Sequence, residues 1–194
     1  MAHSFWGVPF FIYLCNMKPE EIIHRYCEGN PALEEVLLRH SSDVASRALR
    51  IVERHSEFEI DKSFLYEAAM LHDIGIIYVN APSIYCYGTE PYIKHGVLGA
   101  ELLRREGMPV HARVAERHTG TGLTRQNIIQ QSLPLPLADY VPETLEEQII
   151  CYADKFYSKT RLGEEKSYER AEASLRKFGE DGLLIFHEWK HRFE

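Results

Sequence analysis

Six metal-capable side chains recur along this chain at intervals of one helix plus one connection, and no other feature restricts its fold so much. His72 and Asp73 stand together in LHDIG (71–75), at the end of an apolar run. His40 lies 32 residues before His72, His95 lies 22 after Asp73, His118 follows 23 later, and Asp154 another 36 beyond. Each sits in sequence with helical character. Helical bundles build metal sites in this way, from inward-facing side chains on several helices.

The rest of the chain agrees with a bundle. Apolar residues recur at three- and four-residue steps almost throughout. Pro19 and the acids after it open a first helix at about 18–28. A second is expected at 31–38 and a third at 40–55, carrying His40. Asp61 is placed to cap the helix that ends at His72 and Asp73, with Gly75 expected to permit the turn that follows. Residues 78–90 read as a loop rimming the site. Helices then follow at 91–106 with His95, at 109–118 ending on His118, at 124–131, and at 144–160 with Asp154. The stretch 132–143 is a proline-rich connection, and 167–178 and 181–192 close the chain. No segment alternates with period two, so the expected fold is all-α, a compact helical bundle.

At 194 residues the chain is long enough for one well-buried domain. We place that domain at 17–194, with residues 1–16 as an N-terminal extension. The run Phe5–Cys15 is apolar, yet no Lys or Arg precedes it and it is too short to span a bilayer. The formal charge of −7 argues against a nucleic-acid polymer as partner, since polymers need a basic face. Cys15, Cys27, Cys86 and Cys151 form no CxxC pair and suit a reduced, cytoplasmic protein. No membrane association is expected.

LHDIG, KHGVLGAELL (94–103), VAERHTGTG (114–122) and CYADKF (151–156) together resemble the HD superfamily of metal-dependent phosphohydrolases, of the HDIG type. The resemblance runs from about Leu38 to Arg161, and the ligand order His, His-Asp, His, His, Asp matches its two-metal members. It implies that His40, His72, Asp73 and Asp154 hold a first metal and His95 and His118 a second, with Asp73 bridging. It also implies a bridging hydroxide as nucleophile, with Asp73 central to catalysis. Imidazole and carboxylate together suit borderline transition metals, so Fe or Mn is expected ahead of Zn, Co or Ni, and Mg last.

The remaining histidines, among them His24, His55, His111, His187 and His191, read as ordinary core or surface residues. Gly96, Gly99 and Ala100 are small enough for a neighbouring helix or a substrate to come close. Gly120 and Gly122 suggest a tight loop after His118, either a plain helix terminus or a turn presenting N–H groups to phosphate. For substrate contacts we single out Arg161, seven residues past Asp154 and so on one helical face with it, then Lys155, Lys159 and Lys94. Tyr78, Tyr85, Tyr87 and Tyr92 offer rings for stacking a base. The expected activity is hydrolysis of a phosphoester or phosphoanhydride in a small nucleotide-like molecule. Two alternatives share the motif: a di-iron oxygenase of the same fold, and a non-catalytic signalling module.

Overall fold

The computed structural model of the chain describes residues 17–176 and 179–194. The proposed extension at 1–16 lies outside that range, as does the end of the helix expected at 167–178. Helix α1 (Pro19–Tyr26) leads through a tight turn into α2 (Pro31–Arg54). Asn30 caps α2 by accepting from the Leu33 N–H at 3.2 Å, with Pro31 in the first turn. The break expected near residue 39 does not occur. Leu33, Val36, Leu37, His40, Val44, Ala48 and Ile51 are all buried on one face, so a single stripe carries the helix straight through.

Helix α3 (Lys62–Leu71) starts at Asp61, whose carboxylate accepts from the Ser63 and Phe64 N–H groups at 2.9 and 3.2 Å. It packs against α2. A 3-10 turn (Ile74–Tyr78) follows, then a hairpin of two-residue strands, β1 (Asn80–Ala81) and β2 (Cys86–Tyr87), paired antiparallel. Among the described residues these strands are the one sheet that departs from an all-helical reading, and they are too short to show a periodic pattern. Helix α4 (His95–Arg105) packs on α5 (Pro109–Arg117) and on the 3-10 turn. The short α6 (Arg125–Gln130) and the connection after it cover part of α4 through Leu123, Ile128 and Tyr140.

Helix α7 (Leu145–Asp154) begins with a capping box in which the Thr144 hydroxyl and the Glu147 carboxylate satisfy each other's backbone N–H. It ends at Asp154, six residues short of the expectation. The backbone N–H groups of Lys155, Phe156 and Tyr157 bond three residues back, tightening the chain out of the helix. Phe156 and Tyr157 are then buried, and the Lys166 ammonium bonds the carbonyls of Lys155 and Tyr157 at 3.0 and 3.1 Å. Tertiary contacts thus take over the carbonyls that a longer helix would have used. Helices α8 (Tyr168–Leu175) and α9 (Glu180–Phe193) close the fold, with Phe186 and Phe193 packed against the Tyr152 ring of α7.

Gly75 works differently from expectation. Its backbone is not left-handed. A Cβ there would lie 2.0 Å from the His95 carbonyl oxygen and 2.4 Å from the Gly99 nitrogen, so glycine lets the 3-10 turn touch the α4 backbone. Gly96 does the same on the other side, where a Cβ would meet the Ala115 oxygen of α5 at 2.7 Å. We therefore expect Gly75→Ala to cost about 3 kcal/mol in denaturant unfolding, since no side chain can yield to the added methyl. Gly107, left-handed at the end of α4 with nothing within 4 Å of a Cβ, should cost only about 1 kcal/mol as Ala. Equal effects at the two positions would contradict the backbone-contact account.

Candidate metal centre

Only His40 presents its side chain from the middle of a helix. His72 and Asp73 follow the end of α3, His95 opens α4, His118 follows α5, and Asp154 ends α7. The bundle therefore gathers the termini of four helices around one face of α2. Arg113 and Arg117 of α5, the helix whose end bears His118, pair with Glu147 and Glu143 near the start of α7, whose other end bears Asp154. The Cys151 thiol donates to the His118 and Gly120 carbonyls, each at 3.3 Å, and draws the same two ends together.

All six side chains converge, in two overlapping groups. Asp73 Oδ2 lies 3.0 Å from His40 Nε2 and 2.9 Å from His72 Nε2, and Asp154 Oδ1 lies 3.1 Å from His40 Nε2. Asp73 Oδ1 faces the other way, 3.5 Å from His95 Nε2 and 3.3 Å from His118 Nε2. Donor atoms bound at about 2.1 Å to one octahedral ion stand about 3.0 Å apart, so these spacings suit shared coordination. Asp73 Oδ1, both ring nitrogens of His40 and Nε2 of His72 are buried without a hydrogen-bond partner, and Asp73 Oδ2 has the Lys159 ammonium beside it. Buried polar atoms in that condition are costly unless something electropositive meets them.

The tautomers point the same way. The Nδ1–H groups of His72, His95 and His118 donate to the carbonyls of Ala69, Tyr92 and Ala115 at 2.6 to 2.7 Å. On the neutral rings of His95 and His118 this leaves Nε2 as a lone pair, the arrangement that orients metal-bound histidine, and on His72 a bound cation would take the place of the Nε2 proton. His95 Nε2 and His118 Nε2 then stand 2.9 Å apart with no proton between them, a repulsive contact that a shared cation would relieve. His40, His72, Asp73 and Asp154 can hold a metal ion as one group, and Asp73, His95 and His118 as another.

Charge divides the two groups. Burial, then the neighbouring His118, pushes His95 down to about 3, and burial likewise lowers His118. Burial also opposes protonation of His72, but Asp73 and Asp154 outweigh it and raise that ring to about 9. Burial alone would raise both carboxyls. Lys159 and His72 instead hold Asp73 well below the usual carboxylate range, and Lys155 with His40 does so for Asp154. The Lys159 ammonium sits 2.5 Å from Asp73 Oδ2, and that of Lys155 2.7 Å from Asp154 Oδ2 and 3.0 Å from the His118 carbonyl.

His95, His118 and Asp154 form part of the wall of a cavity of about 450 Å³, and His40, His72 and Asp73 are buried beside them. Lys155 and Lys159 line it as expected, but Lys94 is paired with Glu90 at 2.7 Å outside it. Arg161 does not reach it either, because α7 stops at Asp154 and the shared helical face does not exist. Of the four tyrosines only Tyr92 lines the cavity, stacked on His95 with ring centroids 4.7 Å apart. Tyr85 and Tyr87 are exposed, and Tyr78 bonds Arg105. The loop after His118 is tight, with Gly120 and Gly122 left-handed; Gly120 joins the wall, whereas the Gly122 N–H is used on the Thr119 carbonyl. His24, His55, His111 and His187 are held by surface glutamates, away from the centre. Tyr157, Ser158, Thr160 and Lys166 escaped the sequence reading, since they reach the cavity only through the turn at the end of α7.

A family model described as "HD domain" matches residues 37–158. Two relatives named tRNA (cytidine(56)-2'-O)-methyltransferase, from Picrophilus torridus and Thermoplasma volcanium, are 34% and 32% identical over 66% and 64% of this chain. The chain spans only 33% and 32% of their length. An uncharacterized protein of Methanocaldococcus jannaschii is 35% identical over 74% of this chain and 76% of its own. No solved structure matches the chain. No helix among the described residues is long and apolar enough to cross a membrane.

Asp73 is the one ligand common to both groups, so Asp73→Ala should reduce metal content, by elemental analysis of folded protein, to background. His95→Ala or His118→Ala should remove about half, because four ligands of the other group remain. Loss of all metal from a folded His118→Ala protein would contradict the division.

Proposed function

Since the chain belongs to the HD-domain family, we propose that it is a metal-dependent phosphohydrolase acting on a small nucleotide-like substrate. The observation that carries this reading is the sharing of buried Asp73 by two ligand groups, of which His95, His118 and Asp154 reach the wall of a lysine-lined cavity. His40, His72, Asp73 and Asp154 would hold one ion, and Asp73, His95 and His118 a second. Their nitrogen-rich donor set favours iron or manganese. Two bound cations supply an activated water and neutralise charge on the phosphoryl oxygens.

The chain's own residues do the rest. Asp73 fixes the relation between the two ligand groups, one oxygen to each. His72, His95 and His118 hold their Nδ1 protons on backbone carbonyls, which keeps the Nε2 lone pairs aimed inward. Lys155 and Lys159 balance the charge of Asp154 and Asp73, so that Lys166 and any bound cations would leave the cavity electropositive, matching a phosphoryl group better than a neutral polyol. Tyr92, on the rim beside His95, offers a ring face to a base or sugar. The cavity volume of about 450 Å³ suits a nucleotide and not a folded polymer.

In the two named methyltransferases the shared segment is about a third of the protein. We assign phosphoester chemistry to that segment and methyl transfer to the rest of those chains. Their name places it beside an enzyme acting on a ribose 2′-oxygen of tRNA. Ribonucleotides with 2′-, 3′- or 2′,3′-cyclic phosphates therefore belong in the assay, beside dinucleoside polyphosphates, cyclic dinucleotides and a chromogenic phosphodiester.

With protein loaded anaerobically with iron or manganese, we expect phosphate or nucleotide release from at least one of these. Asp73→Ala should lower the rate by more than about 10³-fold, the loss typical of an essential electrostatic group. A loaded protein inert across the panel that consumes O₂ with a small polyol or phosphonate would replace this reading with the oxygenase.

A further inference from the structure

The turn after α7 has two sides. Ser158, Thr160 and Lys166 line the metal-site cavity on one side and a second groove of about 290 Å³ on the other. Arg161 and Arg170 complete the charge of that groove, with Glu164 its only carboxylate. The adjacent Glu165 is turned away and spent on Arg47 and Arg50.

The cations around the two spaces are not equivalent. Lys155 and Lys159 are engaged by Asp154 and Asp73, and Lys166 by two backbone carbonyls. Arg113 and Arg117, elsewhere on the surface, are bound to glutamates. Neither Arg161 nor Arg170 has an ion-pair partner among the described residues. Around these two spaces, the guanidinium groups left free to hold an anion therefore lie in the groove next door to the reacting centre, across a wall only a few residues thick. Guanidinium groups suit phosphate oxygens because their planar N–H forks engage two at once. Arg161 thus keeps a phosphate-binding chemistry, but at a different place from the one its spacing suggested.

We infer that this groove is a second anion subsite, which holds a non-reacting phosphate of the substrate while another phosphate lies at the metal ligands. Resting on the hydrolase reading above, this narrows the substrate class to nucleotides with at least two separate phosphate groups, such as nucleoside bisphosphates or short oligonucleotides. Ser158 and Thr160, which line both spaces, would form the rim over which such a substrate passes.

The test is an Arg161→Gln/Arg170→Gln double variant of the full chain, with Arg54→Gln/Arg125→Gln as a control of equal charge. Using metal-loaded protein, KM for ribonucleoside 3′,5′-bisphosphates should rise about tenfold with kcat unchanged. KM for the corresponding monophosphates should not move, nor should either value in the control. Binding is measured separately by isothermal titration with inorganic tripolyphosphate and with orthophosphate. Tripolyphosphate should weaken about tenfold in the double variant only, and orthophosphate should not change. Protein that hydrolyses nothing yet shows this selective loss of binding would retire the hydrolase reading and keep the subsite. Equal tripolyphosphate binding by wild type and double variant, no detectable binding by wild type, or a loss matched by the control, would overturn the subsite.

Discussion

A carboxylate with no solvent exposure, placed at the meeting point of four histidines and a second aspartate, is the constraint on which the rest of this molecule depends. Burying Asp73 as an anion carries a desolvation cost of several kcal/mol that packing cannot repay. The cost is tolerable only if positive charge or coordination meets both oxygens, and the structure sets Lys159 at one of them and gathers four imidazoles that could share a cation with both. Five of the six ligand residues sit at helix ends for a related reason. Chain termini of helices can be steered to one point, whereas the middle of a helix can present only the side chains on its inner stripe.

The six candidate ligands were legible in the sequence because their identity and spacing are one-dimensional facts. Each histidine or aspartate lies about one helix and one connection from the next, and the fold brings together all six. The helices bearing them were legible too, through apolar periodicity and through caps such as Asp61 and Thr144. The boundary within 31–54 was misread. Polar residues around Arg39 to Asp43 interrupt the composition, while the buried stripe through His40 and Val44 does not break.

Substrate-facing residues were harder, for a physical reason. Arg161 was placed by extrapolating α7 through residue 160, and helix propensity gives no warning that Phe156 and Tyr157 will be drawn into the core instead. Lys166 decides where that helix stops, yet it lies twelve residues downstream of Asp154 and acts through its side chain on two carbonyls. Nothing local marks it for that role. Gly75 was noticed and misassigned: a turn glycine and a contact glycine look alike in sequence, and only the neighbouring backbone distinguishes them.

Gly75, Gly96 and Gly99 bring three backbones into direct contact, and the carbonyls they approach belong to the machinery of the site. Gly96 rests against the Ala115 oxygen, the same atom that accepts the Nδ1 proton of His118, and Gly75 rests against the carbonyl of His95 itself. The distance between the two halves of the centre is therefore written in residues that bear no side chain at all. Six ligands grafted in the right order onto an unrelated bundle would inherit the chemistry without the ruler. Helices held apart by ordinary methyl-bearing residues would put the imidazoles of the second group out of Asp73's reach.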